Sequence, residues 1–552
     1  MSRRLLIAAA LILVVITWAR VWMIDSLPDQ GYFAKYTIVA DQILAGHMPR
    51  ERLLDFSPLY LWFVVALRWM GAGFHAIRAL QIVLLSVAAV LVALAARRFG
   101  QIPTFIAPLL LLGSRGALVC ATEVEPETLI LVLNAAAIAA LFASCPSPRL
   151  RGEGARRADE GNPSPGASRH PLPAIAGRGT TMLLAGFLLG LSAACRPVAL
   201  LVVIVLAIWM RSWKIVAGAL VPVGALLIVN FALTHEVTLM DPGTVFYEGM
   251  NPSAEGYEGV QPRIVNDLER MSRDPDFLHV AYRIVATKAL ERRVTRAESN
   301  RYWTGKALAF GRAYPLAALK LTARKFYLAL HSYEAYDLVT MARKDAMLPH
   351  ALFFPFAAIL TLAAACAVSR PRGIAPLVIF ALCTGATLIV FYVTARQRNA
   401  MLPALVILAA VGFAGALKHR GALVACAIVA ILLSIDGPLQ IQDRNGWLGI
   451  RDGFDEAIAL EQRGEWQSAD NLLVKLQDEG YRPMRENRAV SSVAYYRAVA
   501  AAHMGRDPKP FLGQAIREAP GNEHILAALG DQKLLFDLHD PFTARAALQQ
   551  GM

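Results

Sequence analysis

The sequence predicts an α-helical polytopic membrane protein: a bundle of about eleven membrane-spanning helices, followed by a soluble helical module. Two observations predict this class. Hydrophobic residues make up 56% of the 552 residues and charged residues only 18%, whereas ordinary globular chains are about half apolar and about a quarter charged. The apolar excess is concentrated in uncharged runs such as 5–16, 82–96 and 422–435, which reach bilayer length with their flanks. This composition excludes a soluble enzyme.

The formal net charge of +13 does not indicate a nucleic-acid-binding protein. Basic residues cluster at the ends of apolar segments, as at Arg3–Arg4, Arg97–Arg98 and Lys418–Arg420. Such placement is typical of cytoplasmic loops, and no basic stripe interleaved with aromatic residues is present. The six cysteines lack CxxC spacing and lie in or beside apolar segments, so we predict neither disulfides nor a zinc site.

The amino-terminal half is predicted to start inside the cell and cross the membrane repeatedly. Residues 1–24 have an Arg-Arg start and a long apolar stretch without a small-residue cleavage site, which predicts an uncleaved first span. The polar loop 25–57 then lies outside, and Tyr32, Tyr36 and Val39 recur at helical spacing within it.

Segment 58–71 decides the orientation of the spans that follow it. Its roughly 14 helical residues reach roughly 21 Å, short of the roughly 30 Å hydrocarbon core, so we predict a juxtamembrane helix. If it spans instead, the next five segments invert and Arg97–Arg98 face outward against the positive-inside rule. The remaining spans are predicted at 76–96, 101–119, 127–144, 181–195, 197–210, 215–233, 350–368, 374–394, 401–417 and 421–437.

Three segments outside the spans have distinct compositions. Residues 145–179 are rich in Pro, Gly, Ser and Arg without apolar periodicity, which predicts a disordered cytoplasmic insertion. The polar stretch 234–349 is predicted to be a large outer loop. Residues 450–552 contain paired amphipathic helices around Gly turns and resemble a tetratricopeptide array, so we predict an outer module that caps the protein or docks a protein partner.

Four groups of ionisable residues lie at the predicted outer ends of the spans, where charge is costly and indicates function. They are Asp25, Asp29 and Asp55; Glu123, Glu125 and Glu127; Arg196, at the tip of the 181–210 hairpin; and Arg396 with Arg398. The predicted topology brings all four to one face, where both arginine groups break the positive-inside rule.

Each group also has a structural interpretation. The aspartates could mark helix ends or caps, the alternating glutamates could form a solvated loop, and the arginines could serve packing alone. A metal site is a further alternative, because His47, Glu51 and Asp55 are spaced i, i+4, i+8. Pro49 interrupts a regular helix there, so we predict no metal and no other cofactor.

Three stretches resemble the GT-C superfamily of membrane glycosyltransferases, in the branch of bacterial aminoarabinose transferases and protein O-mannosyltransferases. In 28–67, Asp29, Tyr32, Gly46, Asp55 and Pro58 occupy the places of the family's first periplasmic loop. Segment 245–259, which contains Asn251, is similar to an outer-loop segment of bacterial members. Segment 395–412, ARQRNAMLPALVILAAVG, is similar to the family's late motif. The resemblance covers about residues 1–440.

The resemblance implies a glycosyltransferase of the bacterial inner membrane, with its active site and carboxyl end in the periplasm. It would transfer a sugar from a polyprenyl-phosphate donor to a hydroxyl of a lipid, protein or polysaccharide acceptor. Asp29 would be the general base, with Asp55 assisting, in a single displacement with inversion. Arg396, Arg398 and Arg196 would bind the donor phosphate. Tyr32, Glu123, Glu125 and Asn251 are the further substrate-binding candidates.

Two other functional classes remain alternatives. A transporter or lipid flippase for polyprenyl-linked or anionic solutes would be polytopic too, but such proteins usually contain internal repeats and midplane charges. The halves of this chain show no repeat. The third class is a non-catalytic membrane anchor that presents the module 450–552 to a partner.

Overall fold

The computed structural model describes residues 35–47, 53, 56–143, 174–235, 239–257, 259, 261–262, 265, 278–336, 341, 344–345, 348, 352–369, 371–435, 457, 460–461, 463–478 and 490–518. This part of the chain is helical and has no strand beyond an isolated bridge between Ser114 and Phe354. The predicted α-helical class is therefore confirmed. The predicted first span, Asp25, Asp29, Tyr32, Asp55 and residues 145–173 lie outside the described residues.

The described helices fall into three stretches of chain. Up to residue 234 they are α1 (Lys35–Leu44), α2 (Pro58–Trp69), α3 (Phe74–Ala96), α4 (Gln101–Leu112), α5 (Arg115–Ala121), α6 (Glu127–Ala143), α7 (Ala174–Cys195), α8 (Ala199–Met210) and α9 (Trp213–Thr234). The stretch 234–349, which the sequence predicts to be an outer loop, contains α10 (Pro242–Gly249), α11 (Leu278–Ala289), α12 (Arg296–Ala313) and α13 (Pro315–Leu330). The remaining helices are α14 (Phe356–Ser369), α15 (Ala375–Val390), α16 (Ala395–Arg398), α17 (Leu402–Ala416), α18 (Arg420–Leu432), α19 (Trp466–Asp478), α20 (Val490–His503) and α21 (Lys509–Glu518).

Each apolar segment predicted as a span within the described residues contains a helix. Some ends differ by a few residues, since α14 begins at Phe356 and α15 ends at Val390, and two further differences change the arrangement of the helices. Segment 101–119 is split into α4 and α5, because the chain turns at Gly113 and Ser114. Phe354 donates its backbone N–H to the Gly113 carbonyl at 3.0 Å, and its ring lies where a Cβ at Gly113 would be. The second difference is that α7 begins at Ala174, so residues 174–179 of the predicted insertion are helical.

Length and composition single out two of these helices as candidate membrane spans. Phe74–Phe99 and Trp213–Leu233 are long and apolar enough to cross a bilayer, and nine shorter apolar helices of 10–17 residues accompany them in the described part of the chain. Helices α3, α4, α6, α7, α14, α15 and α17 surround one large apolar core, built mainly of Ala, Leu, Val and Ile. A smaller, aromatic core joins α1, α2 and the starts of α3 and α6 through Tyr36, Phe56 and Tyr60.

Glycine lets α7 and α9 approach until their backbones touch. Gly186 and Gly190 are four residues apart on α7, the small-xxx-small spacing found where membrane helices pack closely. A Cβ at Gly186 would lie 2.1 Å from the Ile215 carbonyl oxygen, and one at Gly218 on α9 would lie 2.1 Å from the Leu183 oxygen. Any side chain at these positions must push the two helices apart.

The carboxyl-terminal residues form a separate set of packed helices. Gly464 precedes α19 and Gly505 follows α20, both with positive φ (80° and 69°), which makes them turn residues that glycine adopts without strain. Helix α20 packs against α19 and α21 through Ala494, Ala498 and small neighbours. Helices α20 and α21 form the predicted pair around Gly505, whereas most of the helix predicted before Gly464 lies outside the described residues.

Substitution of Gly218 tests the close approach of α7 and α9. We expect G218A to lower the midpoint of thermal unfolding, because forced overpacking costs about 1–3 kcal/mol. The matched control is G224A on the same helix, where a Cβ meets nothing within 4 Å. Alanine there should be neutral or stabilise by up to about 1 kcal/mol through helix propensity. Equal midpoints for the two variants in detergent would contradict the packing.

Candidate functional site

A chain of buried hydrogen bonds from α2 and α3 fixes the loop 122–126, which lies between α5 and α6. Tyr60 on α2 donates its hydroxyl to the side-chain oxygen of Gln81 on α3. The Gln81 amide in turn donates to the Ala121 carbonyl at 3.1 Å and to the Glu123 carbonyl. Gln81 is 1% exposed, so these bonds lie in a low-dielectric interior where losing one is costly. The two glutamates of the loop, and Glu127 at the start of α6, therefore extend from a fixed backbone.

Five side chains from four distant segments meet above this loop. Arg396 Nη1 lies 3.3 Å from Glu125 Oε2 and 3.9 Å from Glu127 Oε1. Arg196 Nη2 pairs with Glu127 Oε1, and Lys35 Nζ lies 3.6 Å from Glu125 Oε1. We call Lys35, Glu125, Glu127, Arg196 and Arg396 the cation–carboxylate cluster. It brings together Arg196, Arg396 and Glu125, as the sequence analysis expected of residues on one face.

The cluster has a buried acidic side and a more open basic side. The side chains of Glu125 and Glu127 are 4% and 1% exposed, whereas those of Lys35, Arg196 and Arg396 are 15%, 23% and 13% exposed. Burial raises the pKa of Glu125, and the neighbouring Glu127 adds to this, while Lys35, Arg396 and Arg196 oppose it. With both carboxylates ionised the five side chains carry one net positive charge. An anion that approaches from solvent therefore meets the cations first.

A second ionic group, separate from the cluster, fastens the stretch 234–349 to the same backbone. Lys344 Nζ lies 2.8 Å from Glu123 Oε1 and donates to the Thr122 carbonyl at 2.9 Å, and both side chains are 2% exposed. Arg115 Nε lies 2.6 Å from Asp345 Oδ1, which also accepts the Tyr336 hydroxyl at 2.9 Å. Glu123, predicted to bind substrate, is thus enclosed by the protein itself.

Arg398 points away from Arg396 into the interior. Its guanidinium donates to the carbonyls of Tyr333, at 2.9 Å, and Leu328, and lies 3.7 Å from Glu334. The ring centroid of Phe356 is 4.5 Å from its central carbon. Burial raises the pKa of Glu334, with Arg398 and Arg115 opposing. These contacts engage both terminal nitrogens of Arg398, which is 2% exposed, so its geometry favours a structural role over the predicted binding of a phosphate.

Asn251 lies in the turn after α10. Its amide donates to the Tyr247 carbonyl at 2.9 Å, and its oxygen accepts the Ser253 N–H at 2.9 Å. The turn is joined to the chain before Arg396, because Val393 donates its N–H to the Gly256 carbonyl at 2.9 Å. Asn251, 4% exposed, thus binds backbone groups of its own turn.

Sequence reasoning missed Lys35, Gln81 and Lys344, and it did not carry Glu127 into the list of binding residues. A weak signal for Lys35 is present, since it is the one basic residue between Asp29 and His47. Asp29, Tyr32 and Asp55 lie outside the described residues, as does Glu51 of the alternative metal group. In the part of the chain that the structure describes, no three His, Cys, Asp or Glu side chains are grouped as metal ligands would be.

Comparison of the chain with protein-family models, curated proteins and solved structures finds no match.

A matched pair of lysine substitutions tests the different surroundings of the two arginines. We expect R398K to lower the thermal unfolding midpoint, because a single ammonium cannot reach both carbonyls and each lost charged hydrogen bond costs about 1.5–3 kcal/mol. R396K, two residues earlier, keeps a positive charge beside Glu125 and Glu127 and should unfold near the wild-type midpoint. A larger loss for R396K than for R398K in thermal melts would refute this assignment.

Proposed function

We propose that the protein transfers a sugar from a polyprenyl-phosphate donor to a hydroxyl acceptor at the outer face of a bacterial inner membrane. The observation that carries the proposal is the cation–carboxylate cluster, in which three partly exposed cations lie over two buried carboxylates. The resemblance of 28–67 and 395–412 to GT-C glycosyltransferases supports the same activity from the sequence.

Membrane embedding is supported by the outward side chains of the apolar helices. On α3, Val83, Val87, Val90 and Leu94 are 45%, 43%, 59% and 51% exposed and follow one another at helical spacing. A soluble monomer rarely exposes a continuous apolar surface of this kind. The 23 residues of α3 extend roughly 34 Å, enough for the roughly 30 Å hydrocarbon core.

The cluster lies where apolar helices end, and so at the edge of the proposed bilayer. Glu127 is the first residue of α6, Arg196 follows the last residue of α7, and Arg396 shortly precedes α17. A lipid-linked donor has its phosphate at the same depth, with its polyprenyl tail in the hydrocarbon. An enzyme that uses such a donor needs its charged groups at this level.

The three cations suit the chemistry of the donor. When the bond between sugar and phosphate breaks, polyprenyl phosphate leaves and its oxygens gain negative charge. Arg196 and Arg396 can each offer two parallel N–H donors to phosphate oxygens, and Lys35 adds a point charge. Preorganised donors of this kind stabilise developing charge. Glu125 and Glu127 hold the cations in position before the donor binds, so little reorganisation is needed.

The acceptor hydroxyl must lose a proton as it attacks the sugar. Asp29 is the proposed general base and Asp55 its helper, as in the sequence prediction. Ser57, two residues after Asp55 in the sequence, donates its hydroxyl to the carbonyl of Cys195, the residue before Arg196. This bond supports a site in which acidic and basic groups act together. The proposed reaction is a single displacement with inversion.

The module 450–552 is the proposed docking site for a protein partner.

Substitution of Arg396 tests the proposal in cells. In a deletion strain complemented with R396Q, we expect the envelope glycan modification to fall about 10²–10³-fold in rate, as when one donor to a developing charge is removed. R396K should retain part of the activity, and K418Q, which alters an exposed lysine between α17 and α18, should behave as wild type. Mass spectrometry of envelope glycans and glycoproteins gives the comparison.

A transfer assay in proteoliposomes separates the enzyme from a flippase. The proposed reaction releases free polyprenyl phosphate from the lipid-linked sugar, whereas a flippase moves the lipid with its sugar bond intact. Unchanged glycans in the deletion strain, or wild-type transfer by R396Q, would contradict the proposed function.

A further inference from the structure

Helix α13 presents an apolar face to the outside of the protein. Leu316, Leu319 and Phe326 are 64%, 65% and 54% exposed, and with Ala323 they form one stripe at helical spacing. Tyr314, just before the helix, is 61% exposed. The stripe is therefore a surface feature that the fold of the described chain does not cover.

The opposite face of α13 is held by the protein. Leu321, Lys325 and Leu328 are buried, Lys325 Nζ lies 3.4 Å from the Val390 carbonyl, and the Leu328 carbonyl accepts from Arg398. Helix α13 also packs against α15. Its rotation about its own axis is thus fixed, and the apolar stripe cannot turn inward.

Positive charge surrounds the stripe. Residues 278–330, which include α11, α12 and α13, contain eleven Lys or Arg residues against two Glu residues, a formal excess of nine positive charges. Some of these cations pair with carboxylates, such as Arg296 with the buried Asp241 and Arg324 with the partly exposed Glu255. Lys306, Arg312 and Lys320 are exposed, and no acidic side chain lies within salt-bridge distance of them in the described part of the chain.

The positive-inside rule is counted over short loops, and the predicted outer loop 234–349 is too long for the rule to govern its charge. Topology therefore does not account for the charge. A helix with an apolar stripe bordered by Lys or Arg is typical of a helix that lies in a membrane surface, with its apolar face at the headgroup–acyl boundary and its cations on anionic lipids.

We propose that α12 and α13 form a docking surface for anionic phospholipid headgroups, with the stripe Leu316–Leu319–Phe326 inserted at the acyl boundary. The proposal rests on the membrane location in the proposed function and adds a lipid-class preference to it. A second copy of the chain fits this surface less well, because a symmetric contact would place two sets of excess positive charge against each other.

Contact with lipid would have a consequence for the neighbouring site. The buried face of α13 carries the Leu328 carbonyl that Arg398 binds, and Arg398 is two residues from Arg396 of the cation–carboxylate cluster. Anionic lipid at the outward face would therefore hold the helix against the chain segment that supplies a cluster cation.

Photo-cross-linking from the stripe tests the proposal. The full chain, with p-benzoylphenylalanine in place of Leu319, is placed in nanodiscs of equal phosphatidylglycerol and phosphatidylcholine and irradiated, and adducts are identified by mass spectrometry. We expect lipid adducts with phosphatidylglycerol enriched several-fold over phosphatidylcholine. The matched position is Arg292, whose side chain is 57% exposed outside the stripe, and it should give few lipid adducts.

Charge reversal at the border of the stripe gives the second arm. R312E combined with K320E should abolish the enrichment of phosphatidylglycerol while lipid adducts persist. Adducts to a second copy of the protein, absence of lipid adducts at 319, or unchanged enrichment in the double variant would each overturn the proposal. The same cross-linking in R396Q protein should give the wild-type pattern, so loss of sugar transfer and loss of lipid docking are distinguished.

Discussion

The pairing of three cations with Glu125 and Glu127 is the interaction on which the site depends. Burying a lone carboxylate costs several kcal/mol, and two adjacent carboxylates repel each other. Lys35, Arg196 and Arg396 offset this cost, so each of these three side chains must keep its position beside the carboxylates. The cluster thereby fixes the start of α1, the turn between α7 and α8, and the entry to α17 relative to the loop 122–126. Below it, Gln81 fixes the loop itself.

The cation–carboxylate cluster and the ion pairs of Lys344 and Arg398 have different roles, although both consist of basic and acidic residues at helix junctions. The cluster keeps its cations 13–23% exposed, whereas Lys344, Arg398 and their acidic partners are almost completely enclosed. The enclosed group fastens the outer loop and the chain after α13 to the helices. The more open group retains cations that can meet an anion. The same backbone, residues 122–127, supports both groups, so it connects the stretch 234–349 to the proposed donor site.

The sequence predicts the helices well because an uncharged apolar run has few alternatives to a helix. Charges at helix junctions likewise predicted that Glu125, Arg196 and Arg396 would meet. The directions of the two arginine side chains could not be predicted from the motif. Arg396 and Arg398 are only two residues apart, yet their side chains point to opposite sides of a short helix. Lys35 and Lys344 were missed because a lone lysine in a polar loop resembles a solvated residue until tertiary contacts bury it. The break at Gly113 depends on Phe354, which is far away in sequence.

Binding of a polyprenyl phosphate, compared with the polyprenol that lacks the phosphate, tests the central claim most directly. Native mass spectrometry of the full chain in detergent would measure both affinities for wild type and R396Q. We expect the wild-type protein to prefer the phosphate about tenfold or more, as one charge-assisted hydrogen bond would give, and R396Q to lose most of this preference. Equal affinity of the wild-type protein for both lipids would contradict a phosphate site at the cation–carboxylate cluster.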